Sequence, residues 1–169
     1  MKIESLDKLL EDQLKDLYSA ENQLVKALPR MAKAAAAAGL KKAFTSHLAE
    51  TRGQVDRLKK VGDLLGISKL TGKKCTAMEG LLEEGKEVLD ADGPGGVIDA
   101  ALIAAAQRVE HYEISSYGTA RALCEFMGQS KAAKLLQQTL DEESAADEKL
   151  TAISVGQVMP AAGNGDGEA

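Results

Sequence analysis

Glutamates interrupt otherwise apolar helical stripes in several segments of this chain. In the segment "AAAQRVEHYEISSYG", Glu110 and Glu113 are three residues apart, so a helix presents both side chains on one face. Glu21 and Glu143 hold similar places in the stripes of two other segments. Carboxylates that meet in a protein core lose hydration and repel one another, and divalent cations can offset both penalties. The spacing therefore predicts a carboxylate-rich metal site.

A further segment adds His47 and Glu50 to the candidates. The two residues are three positions apart and share a helix face, on which Gln54 also lies. His47 is either a metal ligand or a hydrogen-bonded core histidine. Glu142 competes with Glu143 for the inward position, and the spacing favours Glu143.

Two other side chains complete the inventory. Asp147 lies one turn after Glu143 and is a candidate near the metal, whereas His111 falls off its stripe and is predicted at the surface. Hard oxygen ligands suit iron or manganese, zinc is also compatible, and several carboxylates can hold two ions. The predicted ligands of two divalent ions are Glu21, His47, Glu50, Glu110, Glu113, Glu143 and Asp147.

The pattern of a di-iron bundle is incomplete in this sequence. Such bundles combine a glutamate from each of two helices with a Glu-x-x-His pair from each of the other two. Here Gly53 and Ala146 stand three residues after Glu50 and Glu143, where the histidines would be. Two alternatives stay open: boundary glutamates whose carboxylates reach water, and a metal-free bundle whose glutamates share protons and waters.

Four long segments with helical periodicity must position these side chains. The first carries apolar residues at alternating spacings of four and three, from Leu10 to Met31, with Glu21 at its centre. The predicted helices span residues 6–38, closed by Gly39, and then 41–65, 77–89, 97–127 and 130–155.

The connection between the second and fourth of these helices is long. Residues 66–76 are polar, and with the short helix that follows they predict a crossover between two helical hairpins. The fold class is therefore all-α: a four-helix bundle with a long crossover and an additional short helix. One domain is expected at 1–155, followed by a disordered tail at 156–169.

Composition excludes several classes of function. The net charge is −5, which argues against a nucleic-acid partner. No apolar run of about 18 residues is present, so no membrane span is expected. The charged N-terminus does not resemble a signal peptide, and Cys75 and Cys124 are predicted to be free thiols. A cytoplasmic location is the resulting expectation.

Several longer segments resemble the YciF-like bacterial stress proteins, a branch of the ferritin-like superfamily. They are "DLYSAENQL", "HLAETRGQVDRL", "CTAMEGLLEEGKEVL", "DAALIAAAQRVEHYEISSYGTA" and "KAAKLLQQTLDEESAADEKLT", and the likeness covers residues 4–155. The resemblance implies a ferritin-like bundle of rubrerythrin type, a homodimer and a role in the stress response. It implies no assigned biochemical activity.

Comparison with rubrerythrins sharpens the prediction of the site. By resemblance, Glu21 matches their first-helix glutamate, and Glu110 and Glu113 match the third-helix pair. Glu50 matches the glutamate of the second helix, and Glu143 or Glu142 matches that of the fourth. Both downstream histidines are missing, and no rubredoxin-like cysteine module is present. The first hypothesis is a di-metal protein that acts on peroxide or dioxygen with an external reductant. The alternative is a metal-binding or structural stress protein without turnover.

Overall fold

The computed structural model describes residues 4–163, which form helices and no strand. The helices are α1 (Leu6–Ala34), α2 (Ala38–Leu64), α3 (Thr76–Asp90), α4 (Gly95–Phe126) and α5 (Ser130–Ile153), then a π-helical turn (Ser154–Val158) and α6 (Met159–Gly163). The hairpins α1–α2 and α4–α5 pack together through α2 against α5 and α1 against α4. The crossover helix α3 covers α4 and α1. The predicted all-α bundle is confirmed.

The apolar stripe of α1 explains why this helix forms and where it packs. Ser5 caps its start by accepting the backbone N–H of Lys8 at 3.2 Å. Each leucine of the stripe that leaves water contributes about 1.5–3 kcal/mol to the stability. The buried residues match the predicted spacing: Leu10, Leu14, Leu17, Ala20, Glu21, Leu24, Leu28 and Met31.

The apolar core has two parts, and a layer of buried polar side chains lies between them: acids on α1, α4 and α5, and His47, Thr51 and Gln54 on α2. One part contains Leu24, Phe44 and Leu102, and the other contains Leu14 and Leu58. In α1, Glu21 lies near the boundary between the two parts, which falls after Leu17; in α4 and α5, Glu110 with Glu113 and Glu143 lie between residues of the two parts. The polar layer is therefore enclosed by apolar side chains at both ends, which restricts its contact with water.

The α1–α2 connection differs from the prediction. Helix α1 ends at Ala34, and Gly39 is the second residue of α2 rather than a helix end. The cause is a long-range contact: the backbone N–H groups of Ala36 and Ala37 donate to Asp99 of α4 at 2.9 and 2.7 Å. Asp99 is only 1% exposed, so its carboxylate holds the break between the helices inside the protein.

The predicted tail at 156–169 is corrected over the part that the structure describes. Residues 156–163 continue as the π-helical turn and α6, and Val158 is buried in the core. This turn and α6 both contact α4. Packing against α4 therefore stabilises helical structure in a segment whose own sequence has no helical periodicity. Residues 164–169 lie outside the described part of the chain.

Candidate metal centre

Four glutamates from three helices converge in the polar layer. Glu21 comes from α1, Glu110 and Glu113 come from α4, and Glu143 comes from α5. None of these residues is more than 3% exposed. Helix α2 adds His47, which is 5% exposed. The periodicity that buries each stripe thus also carries these polar groups into the core.

A compact group of four residues offers metal-ligand atoms at short range. His47, Glu110, Glu113 and Glu143 each present one such atom, and these atoms all lie within 4.8 Å of one another. His47 Nε2 is 3.4 Å from Glu110 Oε1 and 3.6 Å from Glu143 Oε2. A nitrogen and carboxylate oxygens in this arrangement suit a divalent transition-metal ion.

Several buried atoms of this group have no hydrogen-bond partner. Both carboxylate oxygens of Glu113 are unpaired, as are one oxygen each of Glu21, Glu110 and Glu143, and the Nε2 of His47. Buried polar atoms are almost always paired in folded proteins because an unpaired one costs about 1–3 kcal/mol. The unpaired atoms are all chemically able to bind a hard cation, so the residues present fit a metal centre.

Burial and mutual repulsion both disfavour the ionised carboxylates. Loss of hydration raises the pKa of Glu21, Glu110 and Glu113 well above the ordinary value of 4.5, and the Glu143 carboxylate raises each further. Burial also raises the pKa of Glu143, although His47 opposes this rise. The cluster therefore binds protons tightly, and a metal ion must displace them to enter.

Glu21 is linked to the cluster by charge and is held by a tyrosine. Tyr117 of α4, which is fully buried, donates its hydroxyl hydrogen to Glu21 Oε1, while Glu21 Oε2 is unpaired. Burial, followed by the Glu21 charge, raises the pKa of Tyr117 well above its ordinary value. The phenol therefore stays protonated and can act as a donor to the carboxylate.

A hydrogen-bonded network between α2 and α5 orients Glu143. Gln54 donates its amide to Glu143 and also to Glu142 Oε2, the latter at 3.0 Å. Arg57 in turn holds Glu142 through both terminal nitrogens, at 2.9 and 2.8 Å, and donates to Thr139. Gln54 is fully buried. Helical spacing predicts an inward position for Gln54 but no role in the site, and Arg57 lies outside the predicted inward stripes of α2.

The choice between Glu142 and Glu143 is resolved by burial. Glu143 is fully buried, whereas the side chain of Glu142 is 31% exposed and pairs with Arg57. The inward position therefore belongs to Glu143, as the spacing favoured.

Glu50 departs from the prediction of an inward carboxylate. Its side chain is 43% exposed, because it lies at the edge of the buried face of α2, whose centre is marked by Thr51 and Leu58. Its Oε2 lies 3.3 Å from His47 Nδ1, and this contact lowers the pKa of Glu50. A carboxylate only accepts, so the hydrogen on Nδ1 is donated to Glu50, and Nε2 is the ring nitrogen that faces Glu110.

Asp147 and His111 lie outside the convergent group. The side chain of Asp147 is 21% exposed, accepts the amide of Gln107 at 3.0 Å, and lies 3.5 Å from His111. Asp147 lies one turn after Glu143, and its carboxylate points toward Gln107 and His111 of α4. It is therefore not among the clustered ligand atoms. His111 is 69% exposed, in agreement with the predicted surface position.

Comparison with known proteins gives the family of this bundle. The pattern of a family described as a domain of unknown function, DUF892, matches residues 5–162. The chain belongs to the DUF892 family. The protein YciF of Escherichia coli (strain K12) is 47% identical over 164 residues, which are 97% of this chain and 99% of YciF. The expected YciF-like family is therefore confirmed.

Solved structures of related proteins have the same fold as this DUF892 chain. The crystal structure of the E. coli stress protein YciF matches with a TM-score of 0.88 and 48% identity, over 90% of this chain and 96% of that one. The structure of YcfI from Rhodopseudomonas palustris matches with a TM-score of 0.85 and 42% identity, over 89% of this chain and 95% of that one. A protein from Xanthomonas campestris matches with a TM-score of 0.73 and 20% identity, over 96% of this chain and 99% of that one. At this identity the match shows a shared fold alone.

The helices of this DUF892 chain do not meet the requirements for a membrane span. Within residues 4–163, none is both long enough and apolar enough to cross a bilayer.

The chain is a homologue of a bacterial stress protein, and it has a buried His/Glu group that could hold a metal ion.

Proposed function

We propose that this chain holds two divalent metal ions, iron in the active form, and reduces peroxide during the bacterial stress response. The observation that carries the proposal is the set of unpaired buried oxygens on four glutamates, together with the unpaired Nε2 of His47. Arg57, whose positive charge acts on Glu21, is already held by Glu142. Cations from solution are therefore the available partners for the cluster.

The proposed number of metal ions follows from the total charge of the four buried glutamates. Two divalent cations balance four ionised carboxylates, whereas one would leave a net negative charge in a buried layer. Glu110, Glu113, Glu143 and His47 would hold the metal, with Glu21 as the fourth carboxylate. Oxygen donors with one imidazole suit iron, manganese or zinc, and iron or manganese adds redox chemistry. When bound, redox-active ions supply the electrons that cleave an O–O bond.

The residues of this chain perform the remaining tasks. Tyr117 and Gln54 fix the orientation of Glu21 and Glu143. The Glu50 contact fixes the ring of His47. The apolar core on both sides of the polar layer limits the entry of water, which strengthens every charge interaction within it.

A second function, metal binding without turnover, is supported by the donor set. The clustered ligand atoms include one imidazole, that of His47, where a di-iron bundle of the usual pattern has two. A site with fewer neutral nitrogen ligands can bind ions without the redox behaviour needed for turnover.

Elemental analysis tests metal binding. Protein purified without chelator should contain about two iron or manganese ions per chain, the number that balances the buried charge. Glu113→Gln keeps the side-chain shape and removes one charge, so it should lose most of this metal. The matched control is Glu125→Gln on the same helix, since Glu125 is 56% exposed and pairs with Arg121. Full loading of the Glu113→Gln protein would overturn the assigned site.

Single-turnover kinetics separate the two functions. The iron(II)-loaded protein is mixed with hydrogen peroxide, and the absorbance of iron(III) is followed by stopped flow. Oxidation that is fast compared with free iron(II), and that is lost in Glu113→Gln, supports peroxide reduction. Loaded metal that peroxide oxidises no faster than free iron(II) indicates binding without turnover.

The expected homodimer and external reductant are part of the same proposal. Sedimentation analysis of the full chain should give twice the monomer mass of 17.8 kDa. Repeated turnover should require added reductant, because Cys75 and Cys124 are buried thiols outside any disulfide and residues 4–163 contain no cysteine cluster that could deliver electrons.

A further inference from the structure

A cavity between α2 and α5 reaches the acid cluster from the protein surface. Its volume is about 210 Å³. His47 and Glu110, which are buried, line its inner part, and Ala145 and Lys149, which are exposed, line its outer part. His47 Nε2 has no hydrogen-bond partner and is buried beside the inner end of this cavity, as is the unpaired carboxylate oxygen of Glu110.

The walls of this cavity are mostly apolar. Phe44, Leu150 and the methyl groups of Ala43, Ala145 and Ala146 form most of its surface, and Glu50, Glu142 and Lys149 also belong to its lining. Hydrogen peroxide and water lose hydrogen bonds when they enter an apolar space, so a channel for these molecules alone would be expected to have polar walls. An apolar wall that ends at a polar cluster instead fits a molecule with an apolar body and one polar end.

Ala146 explains why the space exists. It stands three residues after Glu143, at the position where di-iron bundles carry the second histidine of a Glu-x-x-His pair. A methyl group there leaves the volume of an imidazole empty beside the cluster. The departure from the usual ligand pattern and the cavity are thus one feature of the sequence.

We propose that the α2–α5 cavity binds an organic hydroperoxide, with the apolar body against Phe44 and Ala146 and the peroxide group toward His47 and Glu110. This inference rests on the proposed function. An engineered apolar cavity of about 150 Å³ accommodates benzene. A space of about 210 Å³ therefore accommodates one ring with a short alkyl group, such as cumene hydroperoxide.

The reaction balances with the metal ions of the proposed function. The O–O bond of the hydroperoxide would break, each of two bound iron(II) ions would lose one electron, and two protons would be taken up from bulk solvent through the cavity mouth. The products are the alcohol and one water molecule. The alcohol keeps the apolar body of the substrate, so it is also a suitable unreactive probe of the cavity.

Binding is tested first on the metal-free full chain. The alcohol 2-phenylpropan-2-ol is titrated into protein with carbon-13-labelled alanine methyl groups, and the methyl resonances are followed by NMR. Saturable shifts are expected at Ala43, Ala145 and Ala146, and none at Ala152, which is exposed on the same helix. Absence of shifts at the three cavity methyl groups would overturn the inference.

A variant whose larger side chain fills the cavity gives the second test of binding. Ala146→Leu should weaken binding of the alcohol by about tenfold or more, because the added side chain takes the space of the ligand. Ala152→Leu is the matched control and should bind as the unaltered protein does. Equal affinity in the two variants would show that the alcohol binds elsewhere.

Peroxide kinetics then separate this inference from the proposed function. In Ala146→Leu, oxidation of the iron(II)-loaded protein by cumene hydroperoxide should slow by about tenfold or more, while oxidation by hydrogen peroxide changes little. If hydrogen peroxide reacts but cumene hydroperoxide does not, the cavity inference is wrong and the proposed function stands. If neither peroxide oxidises the loaded iron faster than free iron(II), peroxide reduction is wrong, and the alcohol titration alone decides whether the cavity inference stands.

Discussion

Tyr117 of α4 donates a hydrogen bond to Glu21 of α1 in the fully buried middle of the bundle. It links a helix of one hairpin to a helix of the other at the level of the acid cluster. The hydroxyl satisfies one carboxylate oxygen and leaves the second unpaired. Tyr117 therefore fixes the position of Glu21 without consuming its capacity to bind a cation.

Replacement of Tyr117 by phenylalanine should destabilise the protein. A hydrogen bond to a buried carboxylate is lost and a second oxygen of Glu21 becomes unpaired, at a cost of about 1–3 kcal/mol. The free energy of unfolding, measured with urea, checks this value. Tyr18→Phe is the control, since Tyr18 is only half-buried and accepts the amide of Asn22 through its backbone carbonyl, so that loss of its hydroxyl should cost little. Equal costs for the two variants would show that the contact with Glu21 is not stabilising.

The stability of the metal-free protein should fall as the pH rises. The pKa values of Glu21, Glu110, Glu113 and Glu143 are raised above the ordinary 4.5 by burial. A folded state with raised pKa values binds protons more tightly than the unfolded chain. Its extra stability is complete below pH 4.5 and is lost as the pH rises through the folded-state values. Urea unfolding in chelator, from about pH 5 to pH 8, measures the slope.

Metal should reverse this trend. A bound cation favours the ionised carboxylates, and binding to the folded state alone stabilises it by mass action. With iron(II) or manganese(II) present, the urea midpoint should therefore rise with pH over the same range. A midpoint that falls equally with and without metal would contradict binding at the buried acids.

Substitution of Gln54 by leucine should weaken metal binding. Gln54 connects Glu143 to Glu142, and leucine keeps a similar volume while removing the donor. Loss of a residue that orients a ligand typically costs about 10- to 100-fold in metal affinity. Competition with a chromophoric chelator measures this affinity. Gln138→Leu, on the exposed face of α5, is the control, and the same loss in both would argue for a general effect on folding.

Substitution of Asp99 by alanine should destabilise the fold but leave metal affinity unchanged. The change leaves the N–H groups of Ala36 and Ala37 without an acceptor, at a cost of about 1–3 kcal/mol. Urea unfolding measures the loss. Asp92→Ala removes a carboxylate from the exposed connection before α4 and should have little effect. A large change in metal affinity for Asp99→Ala would show that the connection and the cluster are coupled.

The sequence alone determined the helices and most of the buried acids. The alternating spacing of four and three places Glu21 with the leucines of α1, and the same rule places Glu110 with Glu113. These predictions succeed because helical periodicity is local, and a run of several turns marks its buried face with many apolar side chains. It also selects Glu143 over Glu142.

Only the tertiary structure decided the rest of the site. Glu50 shares a face with His47 by spacing, yet the packing of α2 exposes its carboxylate and turns it into a partner of the imidazole. The contacts of Arg57 with Glu142 and of Asp99 with Ala36 join residues far apart in the chain. Periodicity fixes which residues share a face of one helix, but the rotation of that helix against its neighbours depends on the shapes of all the side chains between them.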